Sequence, residues 1–204
     1  MNKPQQIVVI HGGDNFETYA EYLEFLKSIK VDFEKDGLGT QGWKGSLQAE
    51  LGPSYQVVAP AMPNPLNARY AEWEIWFNKF VPYFSEDMIL VGHSLGGSFL
   101  AKYLSLNLLP VRIRATFILA GAFGDNLPDY KLLDFKVPAD LTNFASQSGQ
   151  IILFHSQDDP VVPFSDLGEF KQRLPKAETR IFTDKKHFNQ LDFPELISEI
   201  KKLS

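Results

Sequence analysis

One serine occupies a position in this chain where its hydroxyl would be a nucleophile. Ser94 lies in the run Gly-His-Ser-Leu-Gly-Gly at residues 92–97, between a continuous apolar run and a segment with helical spacing. A G-x-S-x-G sequence in that context is typical of a sharp strand-to-helix turn that exposes the serine. Gly92 and Gly96 are small enough to let the strand and the helix cross closely. The pattern therefore predicts a nucleophilic serine. The alternative is a glycine-rich turn whose serine only caps the helix.

Such a serine needs a base, because its hydroxyl is almost fully protonated at neutral pH. Around a serine in this kind of turn, the order along the chain is serine, acid, histidine. The chain has four histidines, and only His187 follows the best acid candidate. It lies in a polar segment just after the short apolar stretch 179–182, where a last strand would end. We therefore predict His187 as the base; the alternative is a solvated loop residue.

A carboxylate must hold that histidine in the productive tautomer. The segment His-Ser-Gln-Asp-Asp-Pro at residues 155–160 follows a predicted strand and contains two adjacent aspartates. We prefer Asp159, because Pro160 biases the residue before it toward an extended conformation. Asp158 would then cap the turn through backbone N–H groups. Asp125, which follows an earlier predicted strand, is a third option.

Two donors must stabilise the oxyanion that forms when a serine attacks a carbonyl group, and backbone N–H groups usually serve. The turn at Ser94 supplies one of them, from Leu95. The second is predicted from the His-Gly-Gly turn that follows the first apolar strand. There we expect Gly13 to be the donor, Gly12 to allow the tight turn and His11 to shape the loop. The alternative is an ordinary glycine turn at a strand end.

Apolar runs alternate with helical patterns along the chain, which predicts the α/β class with a doubly wound, mostly parallel sheet of about six strands. The predicted strands are 6–10, 55–59, 88–91, 116–120, 151–154 and 179–182. Neither a repeat nor a linker divides the sequence, so residues 1–204 are predicted to form a single domain. A final helix, at about 193–203, would pack behind the segment that carries His187.

Two segments are candidates for a lid over the site. Residues 16–35 have apolar side chains at about helical spacing and are predicted to be a helical insertion, either a structural surface helix or a partial lid. Residues 122–145 are rich in Pro, Asp and Asn, and are predicted to be a loop or short helices over the site.

Together these motifs resemble the α/β-hydrolase superfamily, and within it the small serine hydrolases similar to retinoblastoma-binding protein 9. Three further segments carry the narrower resemblance: Met-Pro-Asn-Pro at 62–65, the acid loop at 154–163, and Gly-Trp at 42–43. The resemblance implies a compact single-domain enzyme with little or no lid. It also implies a catalytic triad of Ser94, Asp159 and His187. We expect the substrate to contact neighbouring residues, namely His11, Gly12, Asp14, His93 and Met62.

The predicted activity is hydrolysis of a carboxylic ester, of the short-chain carboxylesterase kind, through an acyl-enzyme. Thioesters, lactones and small amide or peptide bonds are alternative substrates for the same triad. A different class also stays open, a binding protein that retains the hydrolase scaffold without turnover. We expect a small-molecule ester-type substrate, and the sequence leaves the oligomeric state open.

Composition and charge argue against other partners. A formal net charge of −5 disfavours nucleic acids and anionic membranes as the main partner, and no apolar run is long enough to predict a membrane span. The chain has no cysteine. It therefore lacks the Leu-x-Cys-x-Glu motif by which the family's namesake binds the retinoblastoma protein. A cysteine-free chain that leads straight into its first strand favours a cytoplasmic location.

No cofactor is predicted. Residues 37–42 match the dinucleotide-binding pattern G-x-G-x-x-G, but a charged segment precedes them where that fold needs a buried strand. The spacing of the histidines matches no metal-ligand pattern, so no metal is predicted either.

Overall fold

Six parallel strands form one open sheet in the order β2-β1-β3-β4-β5-β6. The computed structural model describes residues 3–31, 42–124 and 131–203. The strands are β1 (Gln5–Ile10), β2 (Tyr55–Val58), β3 (Met88–His93), β4 (Ile113–Leu119), β5 (Gln150–Ser156) and β6 (Glu178–Phe182). The predicted α/β class and the parallel sheet are therefore confirmed.

All six strands lie where the apolar runs predicted them, and they differ from prediction mainly at their ends. Strand β4 begins at Ile113, three residues before the predicted start at Thr116. Arg114 interrupts the apolar run there, but its guanidinium donates to the backbone carbonyl of Leu203, so the charge is accommodated within a strand. Strand β5 continues through His155 and Ser156, which are polar but buried.

The described residues form seven α-helices, and side chains from every one except the first pack in the cores on the two faces of the sheet. The helices are α1 (Tyr19–Ser28), α2 (Trp43–Leu51), α3 (Tyr70–Phe80), α4 (Leu95–Leu106), α5 (Thr142–Gln147), α6 (Ser165–Arg173) and α7 (Pro194–Lys202). Alternate residues of β1 point to opposite faces, as strand geometry requires. Val8 belongs to the core beneath α3, α4, α5 and α6, and Ile7 to the core beneath α2 and α7. The sheet is therefore doubly wound.

The two candidate lid segments differ in how they pack. Helix α1 begins with a reciprocal cap between Thr18 and Glu21, and none of its residues is buried. In the other segment Phe135 and Phe144 are fully buried, so its described part is anchored in the core. Residues 32–35 and 125–130 lie outside the described residues, as do residues 37–41 of the dinucleotide-like pattern. Within the described residues, no helix is long and apolar enough to cross a membrane.

Candidate active site

The turn between β3 and α4 presents Ser94 in a strained conformation. Its φ of 55° and ψ of −127° lie in a region that residues other than glycine rarely adopt. The Ser94 N–H donates to the carbonyl of Leu119 at 2.8 Å, which ties the turn to β4. A Cβ atom on Gly92 would lie 2.6 Å from the carbonyl oxygen of Gly96, and one on Gly96 would overlap the carbonyl oxygen of Ile10. Both positions therefore need glycine.

A continuous chain of hydrogen bonds joins the serine to a histidine and an aspartate. The Ser94 hydroxyl donates to His187 Nε2 at 2.8 Å. The Nδ1–H of His187 donates to Asp159 Oδ2 at 2.9 Å. The Asp159 side chain is fully buried, and 9% of the His187 side chain is exposed. The protein thus brings together three residues that lie 65 and 28 positions apart (94 to 159 to 187).

The two adjacent aspartates have different partners. Besides His187, Asp159 accepts the backbone N–H groups of Val161 and Val162 at 2.8 and 3.0 Å. Asp158 is exposed and accepts the Ser156 hydroxyl, which lowers the pKa of its carboxyl. Asp159 is therefore the aspartate that contacts His187. The third option, Asp125, lies outside the described residues.

The segment that carries His187 is anchored at three consecutive residues. Asp158 Oδ1 accepts the backbone N–H of Lys186 at 3.0 Å. The carbonyl of His187 accepts the Nε2–H of His93 at 2.7 Å, and the carbonyl of Phe188 accepts the Trp43 indole N–H at 2.9 Å. Lys186 and Phe188 both have positive φ, 49° and 52°. These bonds hold a strained backbone that would otherwise relax and displace the imidazole.

The turn after β1 faces the serine. A Cβ atom on Gly12 would lie 2.9 Å from Ser94 Cβ, so this turn packs directly on Ser94. His11 Nε2 accepts the N–H of Met62 at 2.9 Å, which leaves its Nδ1–H to donate to the Gly12 carbonyl at 2.6 Å. Leu95 begins α4, where backbone N–H groups have no carbonyl partner within the helix. The two predicted oxyanion turns, at Gly13 and Leu95, thus flank Ser94.

A cleft of about 630 Å³ opens at the carboxyl ends of β1 and β3, where parallel sheets commonly bind ligands. Of the residues expected to contact substrate, His11, Gly12, Asp14 and His93 line it. Met62, in contrast, does not line the cleft and is only 2% exposed. It contacts the site through the hydrogen bond from its backbone N–H to His11. The sequence did not point to several other lining residues, namely Lys44, Leu66, Val161, Asn189 and Gln190.

Burial shapes the charges in this cleft. It lowers the pKa of His11, and it lowers that of His93 well below the ordinary value of 6.5. Both rings are therefore neutral near neutral pH, consistent with their hydrogen-bond patterns. Burial also raises the pKa of Asp14. Within the described residues, no group of three or more His, Asp and Glu side chains is arranged to hold a metal ion.

The fold is that of the α/β hydrolases. The crystal structure of the ydeN gene product from B. subtilis superposes with a TM-score of 0.68 at 21% identity, covering 98% of both chains. MGS-MChE2, an alpha/beta hydrolase enzyme from a metagenome of Mar Chica lagoon sediments, superposes with a TM-score of 0.59 at 17% identity, covering 98% of this chain and 90% of that one. At these identities the similarity shows the fold alone.

Sequence comparison identifies the family. A sequence model described as serine hydrolase matches residues 36–192. Serine hydrolase RBBP9 of Rattus norvegicus is 30% identical over 171 residues, which cover 81% of this chain and 88% of that protein. The chain belongs to the serine hydrolase family, and the resemblance seen in its motifs is confirmed.

Proposed function

We propose that this protein hydrolyses small carboxylic esters, with Ser94 as nucleophile, His187 as base and Asp159 as the acid that orients the imidazole. The observation that carries the proposal is the unbroken hydrogen-bond chain from Ser94 Oγ through His187 to the buried carboxylate of Asp159. The serine stands at the floor of an open cleft, where a substrate carbonyl can reach it.

The chemistry follows from these positions. Ser94 Oγ attacks the acyl carbon while its proton passes to His187 Nε2, and the negative charge moves to the carbonyl oxygen. The backbone N–H groups of Leu95 and Gly13 stabilise that oxyanion. His187 then gives its proton to the departing alcohol, which leaves an acyl-serine. Water attacks this ester by the same sequence of proton transfers and releases the acid.

The decisive test is covalent labelling with a fluorophosphonate probe, together with hydrolysis of short-chain aryl esters. We expect wild type to be labelled and Ser94→Ala and His187→Ala to be unlabelled, with a loss in kcat of about a thousandfold or more for Ser94→Ala. Ser98→Ala is the matched control, since Ser98 directly follows the same motif but its hydroxyl donates to the Ala122 carbonyl. A folded wild type that neither reacts with the probe nor turns over esters would favour a binding protein on this scaffold.

A further inference from the structure

Lys44 is a half-buried lysine in the wall of the cleft, and the proposed hydrolysis does not use it. It is the second residue of α2 and lines the same cleft as Ser94 and His187. Its Nζ lies 4.7 Å from the centre of the Trp43 ring. That contact attracts a cation but leaves its charge unbalanced.

No carboxylate among the described residues forms an ion pair with Lys44, since the ion pairs there involve other cations. Burial lowers the pKa of Lys44 to about 8, so the side chain is still largely cationic at neutral pH. Charges that are drawn out of water are normally paired. Among the described residues no carboxylate pairs with Lys44, and an anionic group on a molecule bound in the cleft would supply the opposite charge.

Burial is the main cause of the lowered pKa of His11 and of His93, and the nearby charge of Lys44 lowers both further. Asp14 is the acidic residue among the described residues that line the cleft. Its backbone N–H donates to the carbonyl of Pro65 at 2.8 Å, and the charges that affect the pKa of its carboxyl include His187 but not Lys44. Among the described residues that line the cleft, Lys44 is the one lysine or arginine.

We propose that Lys44 selects substrates that carry an anionic group, a carboxylate in the simplest case, near the scissile bond. This inference rests on the proposed ester hydrolysis and adds the substrate class to it. A protein with a formal net charge of −5 repels anions overall. A half-buried cation in the same cleft as Ser94 reverses that preference locally. It also discriminates strongly, because a neutral substrate leaves the lysine without a partner.

The test compares kcat/KM for pairs of esters that differ only in charge. One pair has the carboxylate on the acyl side, 4-nitrophenyl hydrogen adipate and its methyl ester. The other has it on the leaving group, 4-acetoxybenzoate and its methyl ester. We expect wild type to prefer the anionic member of at least one pair by about tenfold or more. Lys44→Met should abolish the preference, and Lys44→Arg should keep most of it.

Lys202→Met is the control, because Lys202 is an exposed lysine on α7 that pairs with Glu199. It should leave the ratio of the two rates unchanged, and thermal unfolding checks that each variant is folded. A wild type that hydrolyses the neutral esters without preferring either anionic ester overturns the inference about Lys44. So does a preference that survives in Lys44→Met. A wild type that hydrolyses neither member of either pair, and is not labelled at Ser94, overturns the proposed function instead.

The pH dependence of the preference for anionic esters is a second test of the role of the Lys44 charge. Since burial lowers the pKa of Lys44 to about 8, raising the pH through that value removes the cation and should erase the preference for anionic esters. The other titratable groups that line the cleft are Asp14, His11, His93 and His187. Lys44→Arg separates their effect from that of Lys44, because arginine stays cationic across this range and should keep the preference. A preference in wild type that stays constant across pH 8 would contradict the assignment.

Discussion

The carboxylate of Asp158 accepts the backbone N–H of Lys186 at 3.0 Å, one residue before the histidine that Asp159 contacts. Two adjacent aspartates therefore hold the same loop, one through its backbone and the other through the imidazole. Asp159 thus contacts the imidazole ring of His187, and Asp158 holds the backbone of the loop that carries it.

We predict that Asp159→Asn and Asp158→Asn differ sharply in activity. Asp159→Asn should lower kcat by up to about 10⁴-fold, because an amide favours the wrong tautomer of the histidine. Asp158→Asn keeps an oxygen that can accept from Lys186, so its loss should be far smaller. Steady-state kinetics with one aryl ester measures both. Near-normal activity in Asp159→Asn with a large loss in Asp158→Asn would reverse the assignment.

The variant His93→Phe tests the role of His93. The sequence suggested that His93 contacts substrate, whereas the structure suggests that it positions the loop that carries His187. The residue is 3% exposed and its Nε2–H donates to the His187 carbonyl. If it positions His187, removal of one buried hydrogen bond should lower kcat by roughly three- to tenfold and leave KM nearly unchanged. If it binds substrate, KM should rise instead. Thermal unfolding of the variant separates a local effect from general destabilisation.

We predict that the fold loses stability when the pH falls through about 6.5. Burial lowers the pKa of His11, His93 and His155 in the folded protein. Below about 6.5 the unfolded chain binds protons that the folded chain does not, so acid favours unfolding. Denaturant titrations between about pH 7 and about pH 5 measure the slope.

Two observations check the origin of that slope. His155→Phe should make it shallower, because one of the buried rings no longer titrates in the unfolded chain. Carboxylates whose pKa is lowered by partners, such as Glu199 beside Arg180, lose their contribution only below their ordinary value of 4.5. A stability that is flat from pH 7 to about 5 and falls only below it would point to the carboxylates alone.

Gly96→Ala and Gly168→Ala should have opposite effects on stability. A Cβ at Gly96 overlaps the backbone of Ile10, whereas one at Gly168, exposed on α6, has no atom within 4 Å. Gly96→Ala should cost about 3 kcal/mol, or roughly 6 to 12 °C in Tm. Gly168→Ala should raise stability by about 0.5–1 kcal/mol, because alanine suits a helix better than glycine. Calorimetry on the pair decides; equal effects would refute the close packing of strand and helix.

The sequence by itself determined the sheet and the identity of the candidate catalytic residues. Strands β1, β3, β4 and β5 are largely buried and contain the longer apolar runs, whereas the edge strands β2 and β6 are shorter and partly exposed; the sequence pattern predicted all six. The turn at Ser94 needs glycines because of its local backbone shape. That shape depends on residues that are neighbours in the sequence, so a short motif is enough to predict it. The order serine, acid, histidine then reduced four histidines to His187.

Only the tertiary structure decided what surrounds those residues. Trp43 contacts Phe188 and His93 contacts His187 across 145 and 94 positions of the chain, and no local pattern encodes such pairs. Lys44 was not singled out by the sequence. It lines the cleft because α2 packs beside the loop that carries His187. There the backbone N–H of Trp43 donates to the Gln190 carbonyl at 3.1 Å. Contacts between distant segments form only when the whole sheet is assembled, and those contacts set the charge of the cleft.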